Sequence, residues 1–128
     1  MASEVLVVDD EEIMLDLLEA FLDRYNCRTT KAADGDTAIE ALESANFDLV
    51  ITDLHMSRIN GMEVLKKAKA LRPETIVFII TGCNEKASAQ KAFDLGVDDY
   101  LLKPFSLSLL MERLNRHGFS PQTVNAIS

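Results

Sequence analysis

The chain has 128 residues, 48% of them hydrophobic, and 21 acidic against 13 basic side chains give it a formal charge of -8. That is the size of one globular domain with material for a packed core, and its acidity argues against binding nucleic acid, where Lys and Arg must neutralise phosphates. No run reaches the roughly 18 apolar residues of a membrane span, "MASEVLVV" has an acid where a signal peptide has basic residues, and two distant cysteines, Cys27 and Cys83, form no CxxC motif, so the expectation is a reduced, cytoplasmic protein without disulfides, zinc or membrane contact.

Residues 5–8, "VLVV", are a continuous apolar run of the kind a strand buried on both faces needs. They lead directly into Asp9, Asp10, Glu11 and Glu12. Two unit charges about 4 Å apart repel by roughly 4 kcal/mol at an effective dielectric near 20, so such a cluster either disperses into solvent or awaits a cation. Ile13, Leu17, Leu18 and Phe21 then recur at helical spacing, followed by a weaker strand over residues 27–32. Ala38, Ile39, Leu42 and Ala45 form one stripe of a second helix. "FDLVITD" and "TIVFIITG" are buried strands rich in β-branched residues, and the helix between them, marked by Val64, Leu65, Ala68 and Leu71, must end before Pro73. "KASAQKAFDLG" is a helix stopped by Gly96. "DDYLLK" is a fifth strand, and "SLSLLMERLNRH" is a last helix with Ser106 as its N-cap. The polar residues 118–128 lack periodicity and are expected to be a flexible tail or the start of a linker.

Five strands alternating with five helices predict an α/β fold, a parallel sheet with helices on both faces and right-handed crossovers. Ligands of such sheets sit at the carboxyl ends of the strands. There the sequence puts Asp9 and Asp10 after the first strand, Asp53 after the third, Thr81 and Gly82 after the fourth, and Lys103 and Pro104 after the fifth. Three carboxylates near one lysine keep an excess of negative charge, which Mg²⁺ would offset through oxygen ligands and water. Lys103 and Thr81 would then face a phosphoryl group. The bland alternatives are helix capping for the acids, a simple turn at Thr81 and a solvated lysine at 103.

The ordered elements "VVDDEE", "DLVITDLHM", "FIITG" and "GVDDYLLKPF" resemble the receiver domain of two-component response regulators, over residues 4 to 117. The resemblance implies a flavodoxin-like doubly wound sheet of strand order 2-1-3-4-5, for which a chemotaxis receiver is a reference example, and a receiver domain spanning residues 1–117. It implies that Asp53 accepts a phosphoryl group from a sensor histidine kinase or phosphotransfer protein, and that Asp10, Asp53 and the backbone carbonyl of His55 bind Mg²⁺, with Asp9 helping through water. Thr81 and Lys103 would hold the phosphoryl oxygens, Thr81 and Tyr100 would reposition on activation with Tyr100 turning inward, and the Lys103-Pro104 bond would be cis. Ser57 departs from the proline usual in the family after "DLHM". The chain would catalyse its own phosphorylation and dephosphorylation while serving as a signalling switch.

A haloacid-dehalogenase-type phosphatase would have a second aspartate where His55 stands. A flavodoxin would need a phosphate loop where the acids lie, and a pseudo-receiver would lack one of the site residues. The expected partner face is the fourth helix, fifth strand and last helix. Its occupant would be a kinase, an output domain or a second copy of the chain, with Asp98 and Asp99 meeting Arg113 across a two-fold homodimer.

Overall fold

The computed structural model describes residues 2–121. In chain order the elements are β1 (Ser3–Val8), α1 (Glu12–Leu22), a 3₁₀ turn (Asp23–Tyr25), β2 (Cys27–Ala32), α2 (Gly35–Ser44), β3 (Leu49–Asp53), α3 (Gly61–Leu71), β4 (Ile76–Thr81), α4 (Lys86–Asp94), β5 (Asp99–Leu102) and α5 (Leu107–Arg116). The strands pair in parallel as β2-β1-β3-β4-β5. This is the doubly wound fold the sequence predicts.

Because side chains alternate along a strand, each central strand feeds two cores. Leu6, Val8, Val50, Val77 and Ile79 join α2, α3 and α4 residues on one face. Val5, Val7, Leu49, Ile51, Phe78 and Ile80 meet Leu15, Leu18, Leu22, Leu110 and Leu114 on the other. Full burial of one such side chain contributes about 1.5–3 kcal/mol, so a strand buried on both faces anchors both helical layers.

In α1 the buried stripe is Leu15, Leu18 and Leu22, which corrects the expected one. Ile13 is 84% exposed and Leu17 41%. A helix turns about 100° per residue, and with Leu18 against the sheet, Leu17 points along the flank. Leu71 is likewise half exposed at the last turn of α3, and Ala45 is the exposed C-cap of α2.

The helix ends follow sequence chemistry. Gly96, at φ 95°, closes α4, with Val97 N–H donating to the Ala92 carbonyl at 3.0 Å and Gly96 N–H to that of Phe93. Gly118 at φ 93° ends α5 the same way, with Phe119 N–H donating to Leu114, a left-handed cap that absorbs the last free carbonyls. Gly118 and Phe119, assigned to the tail by sequence, therefore belong to the cap of α5; residues 122–128 lie outside the described residues. Ser106 accepts a hydrogen bond from Leu109 N–H at 3.0 Å, as expected of an N-cap. Ser106→Ala should cost about 1 kcal/mol, read as a fall of about 4 °C in the thermal midpoint.

The charges assigned to a dimer contact are satisfied within the chain. Asp99, 4% exposed, receives Arg113 and His117 from α5. Asp98 accepts from Lys69 Nζ and Val77 N–H, both at 2.8 Å. Successive side chains at a strand's start point to opposite faces, so Asp98 meets the cation of α3 and Asp99 that of α5.

Candidate functional site

Strand register brings the site together. Val8 stands opposite Thr52, so Asp9 and Asp53 leave adjacent strands side by side. Asp53 pairs with Ile80 and Thr81 with Leu102, which puts Thr81 and Lys103 at the same end of the sheet. Lys103 N–H continues the ladder to the Thr81 carbonyl at 2.8 Å. The Lys103-Pro104 bond is cis.

Asp9 is 2% exposed and Asp53 8%, while Asp10 faces solvent. One oxygen from each lies within 4.8 Å of the others. Lys103 Nζ sits 2.9 Å from Asp9 Oδ2, 3.5 Å from Asp53 Oδ2 and 3.8 Å from Glu11 Oε1. The remaining Asp9 oxygen accepts from Glu11 N–H at 2.9 Å, so Asp9 also shapes the turn into α1, whose N-cap Glu11 makes no side-chain cap bond. Both the capping and the charge-cluster readings of the acids thus describe part of Asp9.

Burial pushes the Asp53 carboxyl above its ordinary range; Lys103 opposes this and Asp9 adds to it. Burial alone would lower the Lys103 ammonium, yet its hydrogen bond to Asp9 and the field of Asp53 hold it above its usual value. One lysine therefore serves two buried carboxylates, with Asp10 and Glu11 adding further negative charge at the rim. An oxygen-liganded divalent cation fits this donor set.

Thr81 is fully buried, and its hydroxyl oxygen accepts from Cys83 N–H at 3.1 Å. The half-buried Tyr100 donates its hydroxyl to the Cys83 carbonyl at 3.4 Å. The two residues expected to move thus hold the two backbone polar groups of one residue in the β4–α4 loop, a role for Cys83 that its sequence context does not announce. A Cβ on Gly82 would meet nothing within 4 Å, so this side of the pocket is open. The His55 side chain is exposed and lines a cleft with Asn60, Met62, Ser88 and Lys91.

Sequence reasoning missed Asn60 and Gly61. Asn60 caps α3 by accepting from Met62 and Glu63 N–H, and Gly61 N–H donates to the Leu54 carbonyl at 2.8 Å. An Asn-Gly pair just ahead of a helical stripe was the available signal.

The profile of the response regulator receiver domain matches residues 5–115. The chain belongs to that family. The receiver is 38% identical over 104 residues to the transcriptional regulatory protein ResD of Bacillus subtilis (strain 168), covering 81% of the chain and 43% of ResD. It thus spans less than half the length of that relative. Among solved structures it is similar to a BeF3-activated DrrB receiver domain, with TM-score 0.84, 29% identity, and 91% and 97% of the two chains covered. It is also similar to the signal receiver domain of an HD domain-containing protein from Pseudomonas fluorescens Pf-5, with TM-score 0.85, 28% identity, and 91% and 94% covered.

The receiver is accordingly a module of two-component response regulators, which interact with histidine kinases and generally bind Mg²⁺ at an acidic pocket. Among the described residues, no helix is long and apolar enough to cross a membrane.

Proposed function

We propose that the receiver is a phosphorylation-controlled switch in which Asp53 takes a phosphoryl group from a phosphohistidine on a sensor histidine kinase or phosphotransfer protein. The observation that carries this is Lys103 Nζ between the buried carboxylates of Asp9 and Asp53, at the open end of the sheet. An Asp53 oxygen attacks phosphorus in line; the P–O bond forms as the P–N bond breaks, and the departing imidazole nitrogen keeps the electron pair.

Asp10, Asp53 and the His55 carbonyl would hold Mg²⁺ directly. Both Asp9 oxygens are already hydrogen-bonded, which favours its acting through water. Bound Mg²⁺ would neutralise charge on the transferring group. Lys103 shifts from bridging two carboxylates to meeting a phosphoryl oxygen.

The product carries about two negative charges where one stood. Thr81 has a hydroxyl proton to donate to it, and turning toward the phosphoryl group releases Cys83 N–H. Tyr100 loses its loop anchor at the same residue, so both changes bias one bistable segment. Moving that segment from about 1:99 to 99:1 requires roughly 5.5 kcal/mol of differential stabilisation. Hydrolysis resets the switch: water attacks phosphorus, the Asp53 carboxylate departs with the electron pair and inorganic phosphate is released, so the chemistry serves signalling.

The phosphodonor has a face to dock on. Met14, Leu17, Pro104, Phe105 and Leu107 line an apolar groove that Lys103 also borders, and the exposed Ile13 lies on the same helix. A donor seated there has its phosphohistidine beside Asp53. The β5 edge, with Tyr100 and the exposed Phe93 and Leu102 nearby in sequence and fold, is the output face, for a target or a second copy of the receiver. Ile13→Glu should slow transfer from a phosphorylated kinase about tenfold while leaving labelling by a small acyl phosphate unchanged. Equal slowing with both donors would mean that Ile13 acts on the phosphorylation site and that the groove is not where the donor docks.

A further inference from the structure

The loop between Asp53 and α3 is closed at both ends by residues with no side chain. A Cβ on Gly61 would overlap the carbonyl oxygen of Asp53 itself and stand 2.9 Å from Leu54 Cα. A Cβ on Gly35 would come within 2.5 Å of both the Cβ and the carbonyl oxygen of Ile59. Neither glycine has a positive φ, so each position demands space and not an unusual backbone.

The two contacts divide the work. Gly61 is the first residue of α3, whose N-terminus is fixed by Asn60 and by the Gly61 N–H bond to Leu54. Gly35 is the first residue of α2 and braces the far end of the loop, where Arg58 also reaches Asp36 at 3.3 Å. Residues 54–60, including His55, are thus held between two helix starts.

We infer that Gly61, backed by Gly35, is a positioning residue for the acceptor: by admitting α3 against the Asp53 peptide it fixes the Asp53 carboxylate and the His55 carbonyl relative to Asp10 and Lys103. This rests on the acceptor reading above. A methyl group at 61 must push the Asp53 carbonyl aside, because the opposing atoms are backbone and cannot rotate away. A displacement of about 1 Å in a reacting group costs on the order of 100-fold in rate.

The test compares Gly61→Ala with Ala68→Gly, a buried substitution further along α3 that lowers helix stability without touching the loop. Two readouts are taken on the full chain: the rate of Mg²⁺-dependent labelling by acetyl phosphate, and hydrogen exchange of the amides of residues 54–61. Gly61→Ala is expected to label about 100-fold more slowly, with faster exchange confined to that loop. Ala68→Gly should label at the wild-type rate despite its lower thermal midpoint. If Gly61→Ala does not fold, Gly35→Ala replaces it, with a smaller loss in the same direction. Labelling of the glycine variant as fast as Ala68→Gly, with loop exchange unchanged, would overturn the inference. If wild-type protein takes no label at Asp53, the acceptor reading fails, and the exchange comparison alone decides whether Gly61 fixes the loop.

Discussion

Asp53→Asn is expected to take up no phosphoryl group and, in the presence of EDTA at neutral pH, to melt above the wild type. The first effect is chemical: an amide oxygen is a poor nucleophile, and of the two buried carboxylates beside Lys103, Asp9 has both oxygens committed to Glu11 N–H and Lys103, whereas Asp53, at the end of the middle strand, lies 3.5 Å from that lysine. The second follows from linkage. Burial, then the neighbouring Asp9, raises the Asp53 carboxyl, partly offset by Lys103. The folded state then binds this proton more tightly than the unfolded chain, whose Asp titrates near 3.9. Its contribution to stability is favourable in acid and falls as pH rises through the folded-state value. At neutral pH the ionised group is a net cost, which Asn removes; each ~1 kcal/mol relieved raises the midpoint by about 4 °C. Intact-protein mass after incubation with acetyl phosphate and Mg²⁺, together with a melting curve, checks both effects. A labelled Asn variant, or one that melts lower, would contradict the assignment.

Asp10→Ala should weaken Mg²⁺ binding by about 100-fold, whereas Glu12→Ala should change it less than twofold. Asp10 contributes an oxygen to the trio that lies within 4.8 Å, and it is exposed, so it can reach a hydrated ion at little desolvation cost. Glu12 is also exposed but opens the first turn of α1 outside that trio. Loss of an outer-shell partner typically costs about 10- to 100-fold in metal affinity, so loss of Asp10, as a direct ligand, should reach the upper end of that range. Because the raised Asp53 proton competes with the ion, wild-type affinity should fall as the solution is made acid, and Asp53→Asn should lose this part of the pH dependence. Calorimetric titration at neutral and at acid pH measures it. Equal losses in the Asp10 and Glu12 variants would return the acids to simple capping.

Much of this arrangement is legible without coordinates, because it follows from local rules. A short run such as "VLVV", rich in β-branched residues and bounded by polar ones, reads as a doubly buried strand, Ser106 and Gly96 are helix punctuation, and parallel topology delivers every strand's carboxyl end to one edge. The orientation of α1 was not legible: Ile13 and Leu17 are as apolar as Leu15 and Leu22, and only docking against the sheet selects between the stripes. Nor could sequence tell that Asp99 would be held by Arg113 and His117 of its own chain, since a charge's nearest partner depends on how α5 lies across β5. Gly61 was silent for a related reason. Its importance lies in the peptide it faces, eight positions earlier in the chain, and not in its own backbone angles.

The proposed switch requires that Asp53 be the residue phosphorylated and that Mg²⁺ be needed. To test this, the receiver is labelled with acetyl phosphate, the acyl phosphate is trapped by borohydride reduction, and the modified residue is located by peptide mass spectrometry, with and without EDTA. A single Mg²⁺-dependent modification is expected on the peptide containing Asp53, at that residue. Trapped label at Asp9, Asp10 or any other position, or full labelling in EDTA, would contradict it.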